Sequence, residues 1–472
     1  MEAAKAKDEE HYRDELSNVD KKGKRLWIFP KKPKGGYYKA RSIVAWALMA
    51  LMFAGPFLKW HGHPLLLFNV LERKFILFGF PFWPQDFKIF AVATLVGIVF
   101  IVLFTVVWGR VFCGWVCPQT IFMEMLFRKI EYWIDGDWKQ QQKLQAMPWN
   151  GEKIRKRTLK HTLFFILSFV ISNTFLAYII GIDELSLLVT DGPLNHLGSF
   201  FALIMFTGVF YFVFAWFREL VCIIVCPYGR LQGVMLDKKS VVVTYDHVRG
   251  EPRGKINKKE AQENLGDCID CNLCVNVCPT GIDIRNGVQL ECINCTACID
   301  ACDEVMVKID RPKSLIRYDT VEGVEKGEKW KLSGRSIAYS SVLVLLIAVL
   351  TFFIVTRDDV ESIIVRTYGT TYEYQGKDKI SNLYNVEFLN KTFKNKEITL
   401  KLENNDHDEI ELVIIGGQQF VAPPGEQSKG TIMIIIPLDE IESNRFTVPI
   451  GVYVDGDKIE TFEAGFVAPV ID

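Results

Sequence analysis

The amino-acid sequence predicts a membrane α-helical protein with five transmembrane helices, an inserted dicluster ferredoxin domain and a C-terminal all-β domain of the immunoglobulin-like type. Three observations support this prediction. Five uncharged apolar runs approach or exceed the ~20 residues that an α-helix needs to cross a bilayer. Eight of the 12 cysteines form two groups with the spacing of iron–sulfur ligands. The chain after Cys302 contains no cysteine and has several short strand-like runs.

The five apolar runs are each bounded by charged residues, which argues against the alternative of buried helices in a soluble protein. The composition agrees, because hydrophobic residues make up 49% of the chain, which contains 34 Phe and 11 Trp. Aromatic side chains are favoured at membrane interfaces. The first run follows a long polar, Lys-rich stretch, so we do not expect a cleaved signal peptide. The predicted spans are residues 42–58, 89–109, 162–182, 197–217 and 336–356.

The distribution of Lys and Arg predicts the orientation in the membrane, because these residues concentrate in cytoplasmic segments. Residues 1–41 contain 12 of them and residues 110–160 contain 10, whereas residues 183–197 contain none. We therefore expect a multi-pass protein of the inner membrane, with its N-terminus and ferredoxin-like insert in the cytoplasm and its C-terminal domain in the periplasm.

These spans and their orientation predict five segments. The predicted domains are a cytoplasmic N-terminal tail (1–41), a four-helix membrane domain with two cysteine pairs (42–235), a cytoplasmic ferredoxin-like domain (236–335), the fifth transmembrane helix (336–356) and an external β-sandwich (357–472).

Short runs, several with apolar alternation, predict the strands of the C-terminal domain. Asp455–Gly456 is a turn dipeptide typical of a two-residue hairpin. A domain of about 115 residues with this pattern suits a small immunoglobulin-like sandwich. Because it has no cysteine, its core alone would have to stabilise it. The predicted strands are residues 386–388, 397–403, 410–415, 430–436, 445–454 and 458–467.

Two groups of four cysteines carry the strongest chemical signal. Each group reads C-x2-C-x2-C-x3-C, and the second follows the first by 24 residues, with Asp303 where Pro279 stands in the first. This is the spacing of two-cluster bacterial ferredoxins, in which the fourth cysteine of each group ligates the other [4Fe–4S] cluster. Two zinc sites are the alternative, but this triplet is not a zinc spacing. We assign Cys268, Cys271, Cys274 and Cys302 to one cluster, and Cys292, Cys295, Cys298 and Cys278 to the other.

The other four cysteines form two matching CxxxCP pairs, one after the second predicted span and one after the fourth. Residues i and i+4 lie on one face of a helix, so each pair would place two thiols side by side. If the two halves of this duplication pack together, the four thiols converge on one site, and soft thiolates suit Cu(I) or further iron–sulfur chemistry. The alternative is that they pack as small buried side chains. The pairs are Cys113 with Cys117 and Cys222 with Cys226.

Charge and cysteine usage exclude two other classes of protein. The formal net charge of −1 gives no overall attraction to nucleic acid, so no nucleic-acid partner is expected. A secreted disulfide scaffold would distribute its cysteines through a small domain, whereas here every cysteine belongs to a spaced motif.

Several of these motifs resemble the cytochrome oxidase accessory protein family CcoG, also called FixG or RdxA. The resemblance covers nearly all of residues 40–472 and is strongest in the middle of the chain. Gly229 stands where alanine is common in the family. The matching stretches are FWPQDF at 82–87, GRVFCGWVCPQT at 109–120, CPYGR at 226–230, VTYDHVRGEPRG at 243–254 and the ferredoxin segment 266–302.

The resemblance implies a role in assembling cbb3-type oxidases, through reduction of Cu(II) to Cu(I). It implies that copper is the substrate or a bound ion at the CxxxCP cysteines Cys113, Cys117, Cys222 and Cys226, while the electron donor stays unidentified. Implied partners are cbb3-type oxidase assembly factors, copper-delivery proteins and membrane lipid, and a second copy of the chain, forming a homodimer, is a further candidate.

Two other functions fit the same motifs. The CxxxCP hairpins and the ferredoxin segment also resemble the NapH-type membrane quinol dehydrogenases, which lack a large external β-domain and would pass quinol electrons outward. A copper chaperone or scaffold, with clusters kept only for structure, is the non-enzymatic alternative. Quinol oxidation would favour the quinol dehydrogenase. Cluster reduction that never leads to copper reduction would favour the chaperone or scaffold.

Overall fold

The computed structural model describes residues 22 and 24–469, with the exception of 61, 71–73, 84–85, 193–194, 256–264, 329, 393, 404–409, 418 and 442. Residues 1–21 of the predicted N-terminal tail therefore lie outside the described part. The chain forms two compact units, Met1–Leu58 with Phe90–Leu350, and Lys59–Ile89 with Thr351–Asp472.

Five helices in the described part of the chain are long and apolar enough to cross a membrane, which confirms the predicted number of spans. Only 6% to 28% of each apolar window is buried inside the protein, so most of its side chains are left to face lipid. The spans are Gly36–Phe57 (span 1), Phe87–Trp108 (span 2), Gly151–Ile180 (span 3), Leu197–Phe217 (span 4) and Gly334–Val355 (span 5).

Span 3 begins well before the predicted residue 162. The side chain of Asn150 accepts a hydrogen bond from the backbone N–H of Lys153 and so caps the helix. Residues 151–161 are a charged extension of the same helix, which an apolar window could not detect.

Short helices connect the spans, and π-helical turns occur among them and at the end of span 4. The aromatic core between these elements is centred on Phe127, whose ring stacks on Phe214 of span 4 at 4.5 Å and meets Phe164 of span 3 edge-on at 4.8 Å. The connecting helices are Val111–Trp115, Pro118–Phe122, Arg128–Ile134, Trp138–Ala146, Ile182–Thr190 and Pro227–Met235, and the π-helical turns are Met123–Phe127, Val213–Phe217 and Val221–Val225.

The ferredoxin-like insert is joined to the end of span 2. Ser240 donates a hydrogen bond to the carbonyl of Val106 (2.8 Å), and the N–H of Val241 donates to the carbonyl of Val107 (2.9 Å). The last carbonyls of an α-helix have no partner within the helix, so these two bonds end span 2 and position the insert. Its strands Val242–Tyr245 and Ile316–Asp319 pair antiparallel, and its helices are His247–Gly250, Leu273–Asn276, Ile284–Asn286, Ala297–Lys308 and Val321–Lys326.

The second unit contains the predicted β-sandwich. Its strands are Val360–Arg366 (β1), Glu373–Gln375 (β2), Lys379–Asn390 (β3), Lys396–Leu402 (β4), Glu411–Ile414 (β5), Phe420–Ala422 (β6), Gln427–Pro437 (β7), Arg445–Val454 (β8) and Asp457–Val467 (β9). One sheet has the order β5-β7-β3-β1, with β2 also paired to β3, and the other has the order β6-β4-β8-β9. All six predicted strands are present, whereas β1, β2 and β6 were not predicted.

The sandwich is held by its apolar core, as predicted for a domain without cysteine. Tyr384 of β3 is almost completely buried, and its hydroxyl donates to the carbonyl of Gly465 in β9 at 3.0 Å, which joins the two sheets. The predicted hairpin connects β8 and β9, where Asp455 and Gly456 have φ angles of 51° and 97°. Positive φ at both central residues is the geometry of a type I′ turn.

Residues 59–89 belong to the same unit as the sandwich, which the sequence analysis did not predict. They form a three-stranded sheet, Leu66–Asn69, Lys74–Leu77 and Phe80–Phe82, and a two-stranded ribbon, Lys59–Trp60 with His63–Pro64. Asp86 accepts charge-assisted hydrogen bonds from Arg357 and Lys391, both at 2.7 Å. These buried ion pairs join the segment to the sandwich.

Candidate iron–sulfur and thiol site

The eight ferredoxin-type cysteines line two neighbouring cavities. Cys268, Cys271, Cys274 and Cys302 line the first, which we call the outer cavity. Cys278, Cys292, Cys295 and Cys298 line the second, which we call the inner cavity, together with Cys274. This is the division, with exchanged fourth cysteines, that the spacing predicts.

The sequence repeat reappears as a repeat of backbone conformation. Asp270 and Asn294, 24 residues apart, have φ angles of 51° and 52°, and Asn272 and Thr296 have φ angles of 57° and 67°. Left-handed residues between successive cysteines turn the backbone inward. Each C-x2-C-x2-C segment is therefore curled around its cavity in the same way.

The donor set fits iron–sulfur clusters. Burial raises the pKa of Cys274, Cys292 and Cys302 to about 12, so thiolates there need a cationic partner, which cluster iron provides. Among the described side chains, no three His, Cys, Asp or Glu are grouped closely enough to hold a single metal ion. Four or more thiols that line one cavity are a donor set that suits a multinuclear iron–sulfur cluster.

Positive side chains accompany both cavities. The guanidinium of Arg285 lines the outer cavity and forms ion pairs with Asp270 and Asp283, both at 2.6 Å. Arg41 and Arg110 are buried and lower the pKa of Cys295 and Cys292, respectively, against the effect of burial. Charges of this sign stabilise thiolate ligands and the added negative charge of a reduced cluster.

Neither CxxxCP pair lies in one continuous α-helix, so the expected i, i+4 geometry is wrong. Cys113 lies in the helix Val111–Trp115, while Cys117 has extended ψ (123°) and precedes the next helix. Cys222 lies in a π-helical turn, and Cys226 (ψ 108°) also precedes a new helix. The proline after each pair starts that helix at its first position, where the missing N–H costs nothing.

The four thiols nevertheless share one neighbourhood. Burial, together with the nearby thiols of Cys117, Cys113 and Cys226, raises the pKa of Cys222 to about 12. Cys113 is buried, while the other three are partly accessible. The structure thus brings the two pairs into one neighbourhood.

The first pair is fixed to a buried polar group that the sequence analysis did not identify. The amide oxygen of Gln232 is 3.0 Å from the Cys113 Sγ and 3.3 Å from Nε of Arg110. Arg110 also donates to the carbonyl of Leu290, in the ferredoxin-like insert. Gln232 is six residues after Cys226, so these bonds join the two halves of the duplication.

The loop of the first pair lies directly against the inner cavity. A Cβ atom added to Gly114 would be 2.4 Å from the carbonyl oxygen of Ile293 and 3.0 Å from Asn294, which lie between Cys292 and Cys295. The carbonyl of Gly114 accepts a hydrogen bond from Arg41 Nε at 2.6 Å. Only glycine allows this approach of two backbones, so the CxxxCP loop and the cysteine loop are in van der Waals contact.

An aromatic pair reinforces that contact. Trp115 donates from Nε1 to the hydroxyl of Tyr318 at 3.1 Å, and this hydroxyl donates to the carbonyl of Asn294 at 3.0 Å. The three groups form a chain of hydrogen bonds from the CxxxCP loop to the loop of the inner cavity.

One cysteine of the second pair, Cys222, lies near the inner cavity. A small cavity is lined by Cys222 together with Pro279, Thr280 and Ile293, and the last two also line the inner cavity. Gly229 permits this arrangement, because a Cβ there would be 2.7 Å from the carbonyl oxygen of Cys222. The departure from alanine at this position therefore has a steric reason.

Buried ion pairs anchor the helix end that carries the second pair. Arg218, with a strained φ of 52°, donates to both carboxylate oxygens of Glu131 at 2.6 and 2.9 Å. Burial alone would raise the pKa of Glu131, but the charge of Arg218 outweighs it and lowers the pKa to about 2. Beside this pair, Arg25 bonds Glu219 at 3.0 Å.

Three protein-family models match the chain. One described as a 4Fe-4S dicluster domain matches residues 217–321, and one described as a 4Fe-4S binding domain matches residues 90–139. The third, described as the IG-like fold at the C-terminal of FixG, matches residues 350–469. The first two models together contain both CxxxCP pairs and all eight cysteines of the two cavities.

Curated relatives match over most of the chain. The nitrogen fixation protein FixG of Rhizobium meliloti is 32% identical over 421 residues, which is 80% of each chain. Protein RdxB of Cereibacter sphaeroides is 33% identical over 386 residues, covering 78% of this chain and 80% of that protein. Protein RdxA of the same organism is 35% identical over 300 residues, or 62% of each chain.

Proposed function

This chain belongs to the FixG family of membrane iron–sulfur redox proteins, and on that premise we propose that it reduces Cu(II) to Cu(I) at its two CxxxCP cysteine pairs. The observation that carries the proposal is the contact of the Gly114 backbone with Ile293 and Asn294. It leaves no space for water or a side chain between the backbone of the CxxxCP loop and the loop of the inner cavity. Electrons held at that cavity are therefore adjacent to the thiols.

Different residues of the chain bind the clusters, bind copper and position the thiols. The eight ferredoxin-type cysteines hold two clusters, which when bound supply single electrons, and one electron converts one Cu(II) to Cu(I). The CxxxCP thiols bind copper, because soft thiolates favour Cu(I) over Cu(II) and so favour the reduced product. Gln232 and Arg110 hold Cys113 in place through the bonds at 3.0 and 3.3 Å.

The cellular setting of the reaction is part of the proposal. The Lys and Arg content of residues 1–41 and 110–160 supports a cytoplasmic thiol site and a periplasmic β-sandwich. The resemblance to CcoG supports copper-delivery proteins and cbb3-type oxidase assembly factors as partners. Reporter fusions after residue 255 and after residue 469 test the orientation, since a periplasmic signal from the first fusion would contradict it.

The reaction is tested by a single-turnover assay. The protein is reduced anaerobically, excess reductant is removed, and Cu(II) is added with a chromogenic Cu(I) chelator. Two clusters that each give one electron should yield about two Cu(I) per chain, while the EPR signal of the reduced clusters disappears. Iron analysis on the same sample gives the cluster content to which the copper is compared.

A Cys113→Ala variant separates this function from its alternatives. We expect it to keep both EPR signals and to form Cu(I) far more slowly, because copper has lost a ligand at the pair that contacts the inner cavity. Unchanged Cu(I) formation would contradict the site, and reduced clusters that never react with Cu(II) would favour a chaperone or scaffold. Rapid oxidation of a quinol without copper reduction would favour a quinol dehydrogenase.

A further inference from the structure

A groove lies on the outer face of spans 3 and 4, away from all 12 cysteines. Its volume is about 630 Å³, and its lining includes Trp149, Arg157, His161, Phe165 and Tyr211. We call it the span 3–4 groove. The ring of Trp149 is 73% exposed and Phe165 is 47% exposed, so the groove is open to the surroundings of the helices.

The groove runs from a polar end to an apolar end along span 3. Arg157 and Thr158 lie in the charged extension of that helix, and Phe165 lies eight residues further on, which is ~12 Å deeper at the rise of an α-helix. A Trp residue at the polar end is typical of the headgroup region of a bilayer. The groove therefore crosses from the level of lipid headgroups to the level of acyl chains.

Arg157 is the cation of the groove, and it has a neutral partner. Its guanidinium donates to the amide oxygen of Gln145 at 2.5 Å, and no carboxylate within the described residues pairs with it. Its neighbours are compensated, because Lys156 pairs with Glu152 at 2.8 Å and Lys160 pairs with Asp135 at 2.6 Å. The charge of Arg157 is thus left for an external anion.

A second polar group faces the groove within the spans. The hydroxyl of Tyr211 and Nδ1 of His161 are 2.9 Å apart, and His161 is exposed. One of these groups donates and the other accepts, and Thr158 and Thr162 add hydroxyls to the same lining. Hydrogen-bond donors next to an uncompensated arginine suit the oxygens of a phosphodiester.

We propose that the span 3–4 groove binds one anionic phospholipid, with its phosphodiester at Arg157 and His161 and an acyl chain along Phe165. Charge complementarity selects an anionic headgroup, because the ammonium of a zwitterionic lipid would offset the attraction of the phosphate to Arg157. The depth of the groove selects a lipid over a soluble anion, because Phe165 and Tyr211 lie at the level of acyl chains. This site is independent of the proposed copper chemistry.

Native mass spectrometry of the full-length protein tests the proposal. The protein in detergent is titrated with phosphatidylglycerol or with phosphatidylcholine, and bound lipid is counted. Phosphatidylglycerol should give one adduct that saturates first, and phosphatidylcholine should not. Arg157→Gln should weaken that adduct about fivefold, the factor that corresponds to ~1 kcal/mol for one basic residue near a lipid surface.

Arg155→Gln is the matched control, since Arg155 is exposed on the same helix and does not line the groove. It removes the same charge and should leave the first adduct unchanged, while Tyr211→Phe should weaken it. Equal losses in Arg155→Gln and Arg157→Gln would overturn the proposal, because they would reflect net charge alone. The proposal would also be overturned if phosphatidylcholine were retained as well as phosphatidylglycerol, or if millimolar inorganic phosphate displaced the bound phosphatidylglycerol. Unchanged iron content shows that the variants are folded.

Discussion

Replacing Gly114 by alanine should slow Cu(I) formation severalfold while both clusters remain bound. The added Cβ would be 2.4 Å from the carbonyl oxygen of Ile293, whereas ordinary contact begins at 3.4 Å. The atom that must yield is backbone, so the CxxxCP loop and the cysteine loop have to separate by about 1 Å. Electron transfer slows as donor and acceptor move apart, so this separation should lower the rate of Cu(I) formation severalfold.

Stopped-flow measurement of Cu(I) formation in the single-turnover assay gives the rate, and EPR with iron analysis gives the cluster content. Gly208→Ala is the matched control, because a Cβ at Gly208 of span 4 has no atom within 4 Å. Alanine is also the better helix former by about 1 kcal/mol. The control should therefore keep the wild-type rate and should be at least as stable.

A wild-type rate in Gly114→Ala with intact clusters would refute the reasoning, because the close contact would then be irrelevant to electron transfer. If the variant loses iron, Trp115→Phe provides the second test. Phenylalanine keeps the aromatic ring but removes the 3.1 Å hydrogen bond to Tyr318, so a smaller decrease in rate with full iron content is expected. If neither variant lowers the rate of Cu(I) formation, the contact between the CxxxCP loop and the cysteine loop is not part of the electron-transfer route.

Three further variants have defined outcomes. Cys226→Ala should abolish copper reduction with both EPR signals retained, and retained reduction would show that the second pair is dispensable. Cys302→Ser should lower the iron content from about eight to about four per chain, because that thiol lines only the outer cavity; loss of all iron would contradict two separable clusters. Glu131→Gln should destabilise the protein by about 3–5 kcal/mol near neutral pH, since it removes the bidentate partner of buried Arg218 and leaves only the longer contact with Glu219 at 3.5 Å. Because folding lowers the pKa of Glu131 from 4.5 to about 2, its stabilisation is complete above pH 4.5 and is lost as the pH falls toward 2, so thermal unfolding of wild type and variant should converge over that range.

The parts of the fold that the sequence predicted are those encoded locally. A run of apolar residues specifies a span without reference to the rest of the chain, and the C-x2-C-x2-C spacing specifies a curled loop within ten residues. The hairpin at Asp455–Gly456 is local in the same sense. The five spans, the dicluster ferredoxin domain, the immunoglobulin-like domain and the resemblance to the FixG family are accordingly confirmed. Copper reduction, the partners and the roles of individual cysteines stay predictions.

The features that the sequence did not predict are contacts between residues that are far apart in the sequence. Glu131 and Arg218 are 87 positions apart, and nothing in either neighbourhood identifies the other. Nothing in the sequence distinguishes Gln232 from other polar residues. Only the packing of the helices places its side chain beside Cys113. The strands of residues 59–82 are short. The ion pairs that join this segment to the sandwich link Asp86 to Arg357 and Lys391, which come after the four remaining spans in the sequence.

The sequence duplication does not produce two equivalent halves. The first pair contacts the ferredoxin-like insert through the Gly114 backbone and the hydrogen bond of Trp115, whereas the ion pair of Arg218 with Glu131 anchors the helix end before the second pair. Gln232 joins the two, because it lies in the helix that follows Cys226 and its amide oxygen is 3.0 Å from the Cys113 Sγ. The backbone contact with the loop of the inner cavity is therefore made at the first pair, and the second pair is linked to that contact through Gln232.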